Sequence, residues 1–392
     1  MNRSISTDRI KTLDVVRGLT MTLVVFHHVR GVTFGLYGSP SVVSELFVAL
    51  RMPMFFFISG FVASKAIDVW TGSYTVSRLL TKARVELVPT VVFFTLFVTL
   101  TSWSWFFPGG YWFTLALFAM LGTYYLVSAL SRRYFPHMRT IMLVTAGMTL
   151  YILGPVSHLI YSDTSAEIRW FPVDNVSKFF IYFVCGTVCG GNKPKFLGML
   201  ERNMCMTFAV LLAAVSLSLA HFSKELEIDG YVKAILSLAG SSSIVLVVLS
   251  AFWRNREYWN ANGRLSRIMQ FVGRRTLDIY MIHWFLLPGI PELKSLFWHR
   301  NNDILELVII GAMSVAVVAG CLAVSALIRT SPFLCEWLLG GSRKRSRALT
   351  EMSYASSAPK IAIERIGKPA KVVGVEQMAG KAEILSVHRE TR

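Results

Sequence analysis

Leu13–Gly31 reads LDVVRGLTMTLVVFHHVRG. This apolar run is long enough to cross a bilayer, yet it carries Asp14, Arg17, His27 and His28. A charged side chain at the bilayer centre costs about 2.5–3.5 kcal/mol on insertion scales, so such residues mark pairing or function. Arg17 and His28 are 11 residues apart. At about 100° per residue the helix returns to within about 20° of its start, so both share one face, about 16 Å apart along the axis. His27 points about 80° from Arg17 and fits that face less well. Asp14 lies one turn before Arg17 and is placed to pair with it. The competing role is anchorage: Arg17 is about two turns inside Lys11 and can snorkel to headgroups, as His28 can at the other end.

Composition places this stretch in a membrane protein. The chain has 392 residues, 54% hydrophobic and 16% charged, with a mean hydropathy of +0.52. That balance excludes an ordinary soluble domain. The net charge of +17 does not argue for nucleic acid, because the Lys and Arg residues cluster between apolar runs and near the end of the chain, the pattern of loops meeting anionic headgroups. Cys185, Cys189, Cys205, Cys321 and Cys335 lie in or beside apolar segments and suggest no disulfide framework. Cys185 and Cys189 are one turn apart but lack further soft ligands, so packing is their expected role and no metal site is expected. The first apolar segment is too long and too charged for a cleavable signal.

Ten segments are long enough to span a hydrocarbon core about 30 Å thick: 13–33, 42–64, 85–104, 111–131, 139–158, 174–191, 203–221, 232–253, 270–290 and 304–328. The expected fold is therefore an all-α polytopic membrane protein of about ten helices. Basic residues fall in the leader (Arg3, Arg9, Lys11) and in the even connections: Lys65, Arg78, Lys82 and Arg84; Arg132, Arg133 and Arg139; Lys193, Lys195 and Arg202; Arg254, Arg256, Arg264 and Arg267. The odd connections are poor in base: 34–41 has no charge, 105–110 is WFFPGG, and Asp163, Glu167, Glu225, Glu227 and Asp229 sit in the fifth and seventh. By the positive-inside rule both termini are cytoplasmic. The expected layout is a leader over 1–12, a ten-helix domain over 13–339 and a basic, flexible tail over 340–392 that begins with SRKRSR (342–347).

The second segment holds RMPMFFFISGFV (51–62). Pro53 bends it, and Ser59–Gly60 offers a small surface for a neighbouring helix. Arg51 sits near one end, as a headgroup anchor or a substrate contact. Tyr111 and Trp112 open the fourth segment as belt aromatics, with stacking on a sugar ring as the alternative for both. His283 is an intramembrane His five residues after Asp278. His158, His221 and His299 fall at outer span ends and are expected to be solvated.

Arg17, ten residues, then His28, preceded by LDVVRG and followed by MPMFFFISGF (52–61), resembles the membrane acyltransferase-3 family. TKARVELVP (81–89), YWFTLALFAM (111–120), YFVCGTVCGG (182–191) and GRRTLDIYMIH (273–283) are similar to its later segments, so the resemblance covers roughly residues 10–330. The family's basic R-x-x-R pair is absent as such; Arg78, Lys82 and Arg84 occupy its region with different spacing. The resemblance implies an O-acyltransferase of a bacterial cytoplasmic (inner) membrane. It implies transfer of an acyl group, usually acetyl, from cytoplasmic acyl-CoA to a hydroxyl on an extracytoplasmic glycan or glycolipid. Acyl-CoA is then a co-substrate, with no cofactor bound permanently. His28 is the expected base, since a neutral imidazole is the commonest acceptor of a hydroxyl proton, or else a transient acyl carrier. Arg17 suits a CoA phosphate or carbonyl oxygen, because a guanidinium forks onto such oxygens; Asp14 and His283 complete the expected catalytic group. Arg78, Lys82 and Arg84 lie where CoA phosphates would arrive, with lipid contact as the alternative for each. The competing function is a secondary transporter or flippase, against which the sequence lacks paired Gly/Pro-interrupted segments in its two halves. The topology has a direct check: cysteines introduced at 132–139 and in 193–202 will react with thiol reagents only from the cytoplasmic side, and those in 34–39 and 224–229 only from outside.

Overall fold

The computed structural model describes residues 10–341 apart from 40, 65–71, 102–108, 136, 163–171, 262, 291, 293–296 and 298–302. The chain divides into Met1–Ser346 and Arg347–Arg392, the second outside the described residues. Arg3, Arg9, Lys65, Asp163, Glu167, His299 and the cluster at 342–347 also lie outside them. Every regular element among the described residues is helical. The chain runs α1 (Lys11–His28), a π-turn (Val29–Thr33), α2 (Val42–Ala63), α3 (Gly72–Thr101), α4 (Trp112–Tyr134), α5 (Arg139–Ser162), α6 (Val173–Gly191) and α7 (Lys193–Leu200). It continues through α8 (Asn203–His221), α9 (Gly230–Arg254), α10 (Arg256–Asn260), α11 (Arg264–Arg274), α12 (Thr276–Ile282), α13 (Asp303–Ile328) and α14 (Pro332–Leu338).

Six described helical segments are long and apolar enough to cross a membrane: Val42–Ala63, Leu79–Thr101, Gly109–Tyr134, Asn203–His221, Gly230–Arg254 and Asp303–Ile328. Apolar side chains point outward along them, including Leu100, Leu126, Phe208, Ile235 and Leu327. On a soluble protein such a surface would drive aggregation; against hydrocarbon it is at home. The other predicted segments are more polar or shorter. α1 carries Lys11, Asp14 and Arg17, and α6 carries Asp174 and Lys178. The expected ninth span, 270–290, is not one helix. It breaks at Arg275, where the backbone turns from helical geometry (φ −112°, ψ 17°), and after α12 it tightens into a 3₁₀ turn at His283–Leu286 before becoming extended at Leu287.

The polar first helix is accommodated by protein. α1 packs against α2, α9, α10, α11, α12 and α13, and Val15, Val16, Met21 and Val25 are essentially inaccessible, with the polar Thr12, Asp14 and Thr20 buried among them. Two glycine-mediated crossings bring the backbones close. A Cβ on Gly18 or Gly273 would meet the facing backbone of Met269 or Asp14, locking α1 to α11. Gly60 of α2 and Gly186 of α6 meet the carbonyls of Phe183 and Phe57 in the same way, so Gly60 does serve helix approach, as expected of a small-residue surface. Leucine at Gly60 or Gly186 will lower the unfolding temperature of the purified protein, an overpacking cost of at least about 1–3 kcal/mol. Alanine at Gly311, in α13 with open space around it, will hold or raise that temperature through helix propensity.

Candidate active site

The helix bearing Arg17 and His28 ends in an unusual way. After His28 the chain widens into a π-turn, Val29–Thr33, a feature often found at functional sites. Arg30 in that turn is buried (4% exposed). Its Nε donates to Glu306 Oε1 of α13 at 2.7 Å, and its terminal nitrogens donate to the Leu36 and Ser39 carbonyls at 2.5 and 2.9 Å. Ser41, which caps α2, also donates to Glu306 Oε1 at 3.1 Å. This knot folds the following loop back over α1. Gly31 makes room, since a Cβ there would strike the Tyr37 ring. The Tyr37 hydroxyl thereby sits 3.1 Å from His28 Nδ1.

The broken segment supplies part of the opposite wall, through Thr276, Leu277 and Tyr280. Asp278, 3% exposed, accepts from the guanidinium of Arg329 at 2.7 and 2.9 Å and from the Ser325 hydroxyl at 2.5 Å, with Arg275 at 3.4 Å. The α12 break is thus pinned to the end of α13 by a satisfied ion pair. Tyr280 donates to the Gly110 carbonyl at 2.6 Å and accepts from the Phe113 amide at 3.1 Å. Tyr111, expected in an aromatic belt, is instead buried (1% exposed) and donates to the Met281 carbonyl at 3.0 Å. The cause is the break, which leaves backbone carbonyls needing donors that a continuous helix would not. These bonds set His283 and Trp284 against His28, with ring centroids 5.3 and 4.4 Å away. His283 Nδ1 lies 3.1 Å from the Ile279 carbonyl. A carbonyl only accepts, so Nδ1 is the donor and Nε2 keeps its lone pair; that Nε2 is buried with no partner, as is Trp284 Nε1.

Between these walls lies a cavity of about 560 Å³. Arg17, Thr81, Lys82, Glu86 and Tyr125 line it, as do His27, His28, Arg51 and Trp112, with Met21, Met52, Phe55, Ser59 and Leu117 also on its wall. Arg17 and His28 therefore share one cavity, as their spacing predicts. His27 lines it as well, although helical geometry set it off that face; the cavity wraps more than one side of α1. Its Nδ1 is buried without a partner, and Tyr37 lies against its ring at 5.4 Å. Ser59, expected to pack, faces the cavity. Lys82 reaches Glu86 Oε1 at 2.9 Å. Trp112 stacks on Phe179 with centroids 6.0 Å apart.

Other expected site residues lie elsewhere. Asp14 is buried beside the α11 crossing and does not line the cavity. Arg84 is turned to α14, paired with Glu336 and lying over Trp337, which explains its position without a ligand. The side chains of Arg78 and His158 lie outside the described residues. His221 pairs with Glu45 at 2.6 Å on the surface, and no group of His, Cys, Asp and Glu able to hold a metal occurs among the described residues. Sequence reasoning missed Arg30, Tyr37, Glu86, Trp284 and Glu306. Arg30 and Glu306 carried a signal, an opposite pair of charges at the ends of two apolar runs; Tyr37, in an uncharged loop, carried none.

Lipid-compatible helices enclosing a largely apolar cavity with a few charged and imidazole side chains on its wall define an integral membrane protein with an internal site. A model of the acyltransferase-3 family, described as an acyltransferase domain, matches residues 10–325, and the chain belongs to that family. It is a membrane acyltransferase. Neither the curated proteins nor the solved structures yielded a match. The Arg30–Glu306 pair tests how this site is held: Arg30→Met or Glu306→Met alone will destabilise the protein by about 3–5 kcal/mol, because each strands a buried charge. The double variant will lose much less than the sum in the same thermal or denaturant unfolding measurement.

Proposed function

We propose that the protein transfers an acyl group from acyl-CoA to a hydroxyl of a glycan, glycolipid or related acceptor, across a bacterial inner membrane. The observation that carries this reading is the single cavity holding Arg17 and Lys82 together with His28. The loop charges support a ten-span arrangement with both termini cytoplasmic, so that Arg17 and Lys82 face incoming CoA and His28 faces the outer side. α1, α5, α6 and the broken α11–α12 segment then complete the ten, supported by neighbours where they are too polar or short for lipid alone. Acetyl is the acyl group that the family resemblance favours.

The chemistry follows from the groups at the His28 end. The acceptor oxygen attacks the thioester carbonyl carbon while His28 takes its proton. If His28 Nδ1–H donates to the Tyr37 oxygen, Nε2 is left to accept that proton, so Tyr37 positions the base. The carbonyl oxygen gains negative charge, and the buried Trp284 N–H is a donor without a competing partner to receive it. Collapse of the tetrahedral adduct breaks the C–S bond. The imidazolium returns its proton to the departing sulfur, giving an ester and free CoA thiol. His283 offers its Nε2 lone pair beside the transient imidazolium, and Lys82 and Arg17 attract the phosphates at the other end.

Inverted membrane vesicles supplied with labelled acetyl-CoA and endogenous acceptor test this. His28→Ala will lower turnover by about 10²–10⁴-fold, the usual worth of a positioned base, in a protein of unchanged thermal stability. Lys82→Ala will raise the KM for acyl-CoA with little change in kcat. Full turnover in His28→Ala removes His28 as the base, and no transfer from any acyl-CoA by the wild-type protein removes the enzymatic reading.

A further inference from the structure

At the His28 end of the cavity one cation is not accounted for by its neighbours. Arg51 lines the cavity, and its Nε is buried without a hydrogen-bond partner. By contrast, the buried Arg30 is paired with Glu306 and the partly buried Arg329 with Asp278. Around Arg51 the electrostatic neighbours are His27, His28, Tyr37 and Lys178, none of them a carboxylate. Among the described residues that line the cavity, Glu86 is the sole acid and it is held by Lys82. Glu45, on the same helix as Arg51, is engaged on the surface by His221.

A guanidinium in such a place is stabilised by an anion from outside the protein. Its planar fork fits a carboxylate through two parallel hydrogen bonds, which an uncharged hydroxyl or carbonyl cannot match. The same pocket excludes alternatives on the protein side, since the imidazoles of His27 and His28 repel a second cation when protonated and offer Arg51 no negative charge. In the acyl-transfer reading the CoA phosphates fall to Lys82 and to Arg17, which lies about three helical turns from His28. What remains near His28 is the part of the substrates that reacts: the acyl group and the acceptor hydroxyl.

We propose that Arg51 binds a carboxylate carried by one of the two reacting partners, placed one short chain away from the carbonyl or hydroxyl at His28. Either the acyl group is the half-thioester of a dicarboxylic acid, of the succinyl class, or the acceptor sugar bears an acidic group such as a uronate. This inference rests on the acyl-transfer reading of the cavity and narrows its substrates.

The test uses the full-length protein in lipid nanodiscs, with binding measured first and transfer second. Binding is titrated for succinyl-CoA against acetyl-CoA, and for methyl glucuronide against methyl glucoside. A charge-assisted pair in a dry site is worth about ten- to hundredfold, so wild type will prefer the carboxylate-bearing member of one pair by that factor. Preference within the first pair assigns the acyl group as the source, and preference within the second assigns the acceptor. Arg51→Gln will erase the preference while leaving binding of the neutral member unchanged, and Arg51→Lys will keep part of it. The Lys variant guards against a Gln variant that fails to fold. No preference in either pair, or one that survives Arg51→Gln, overturns the proposal. Transfer of label with the preferred pair is then followed: a carboxylate preference without any transfer would leave Arg51 as an anion site and sink the acyltransferase mechanism instead.

Discussion

The structure depends on keeping a polar helix dry and satisfied in the middle of a membrane protein. α1 carries Asp14, Arg17, His27, His28 and, in its π-turn, Arg30, and hydrocarbon offers none of them a partner. The bundle answers by surrounding α1 with other helices so that its polar side chains meet protein or a cavity. The glycines at the α1–α11 crossing bring the backbones into contact, and the Arg30–Glu306 pair closes the far end. Each costs freedom in neighbouring sequence: Gly18 and Gly273 cannot carry a side chain, and Glu306 has its charge buried in the first turn of a largely apolar helix.

A second constraint follows from the first. A helix facing a cavity leaves walls to be built around it; α2, α3 and α4 supply most of them, and Thr276, Leu277 and Tyr280 of the broken segment complete them. Irregular backbone at membrane depth survives only where its freed polar groups are satisfied. Here Tyr111, reaching the Met281 carbonyl, supplies one such bond, while Tyr280 reaches out to Gly110 and Phe113 and Asp278 is held by Arg329. The break in turn aims His283 and Trp284 at His28, which no straight helix through 270–290 would do in the same way. Scaffold and site are one set of contacts at this point.

Much of this was legible in the residues. Charges inside an apolar run pointed to α1, and the 3.6-residue repeat placed Arg17 and His28 together. The Ser59–Gly60 pair foretold a close helix approach, made by Gly60. Other features depended on tertiary partners that lie far away in sequence. The break at Arg275 is imposed by Arg329, 51 residues from Asp278, and by the donors at the start of α4, so an apolar run there reads as an ordinary span. Tyr111 looks like a belt aromatic until its carbonyl partner is known. Arg84 resembled a phosphate ligand until α14 folded against it. Tyr37 has no local signature, because the turn that brings it to His28 is fixed by the buried Arg30.

The central claim is that acyl-CoA threads this cavity with its phosphates near Lys82 and its acyl carbon at His28. The most direct measurement is an experimental structure of the full-length protein in nanodiscs with a non-hydrolysable thioether analogue of acyl-CoA. The account predicts continuous ligand density from Arg17 and Lys82 to His28, with the acyl group in the cavity against His28. Density confined to the surface, or lying along a lipid-facing helix with the cavity empty, would contradict it.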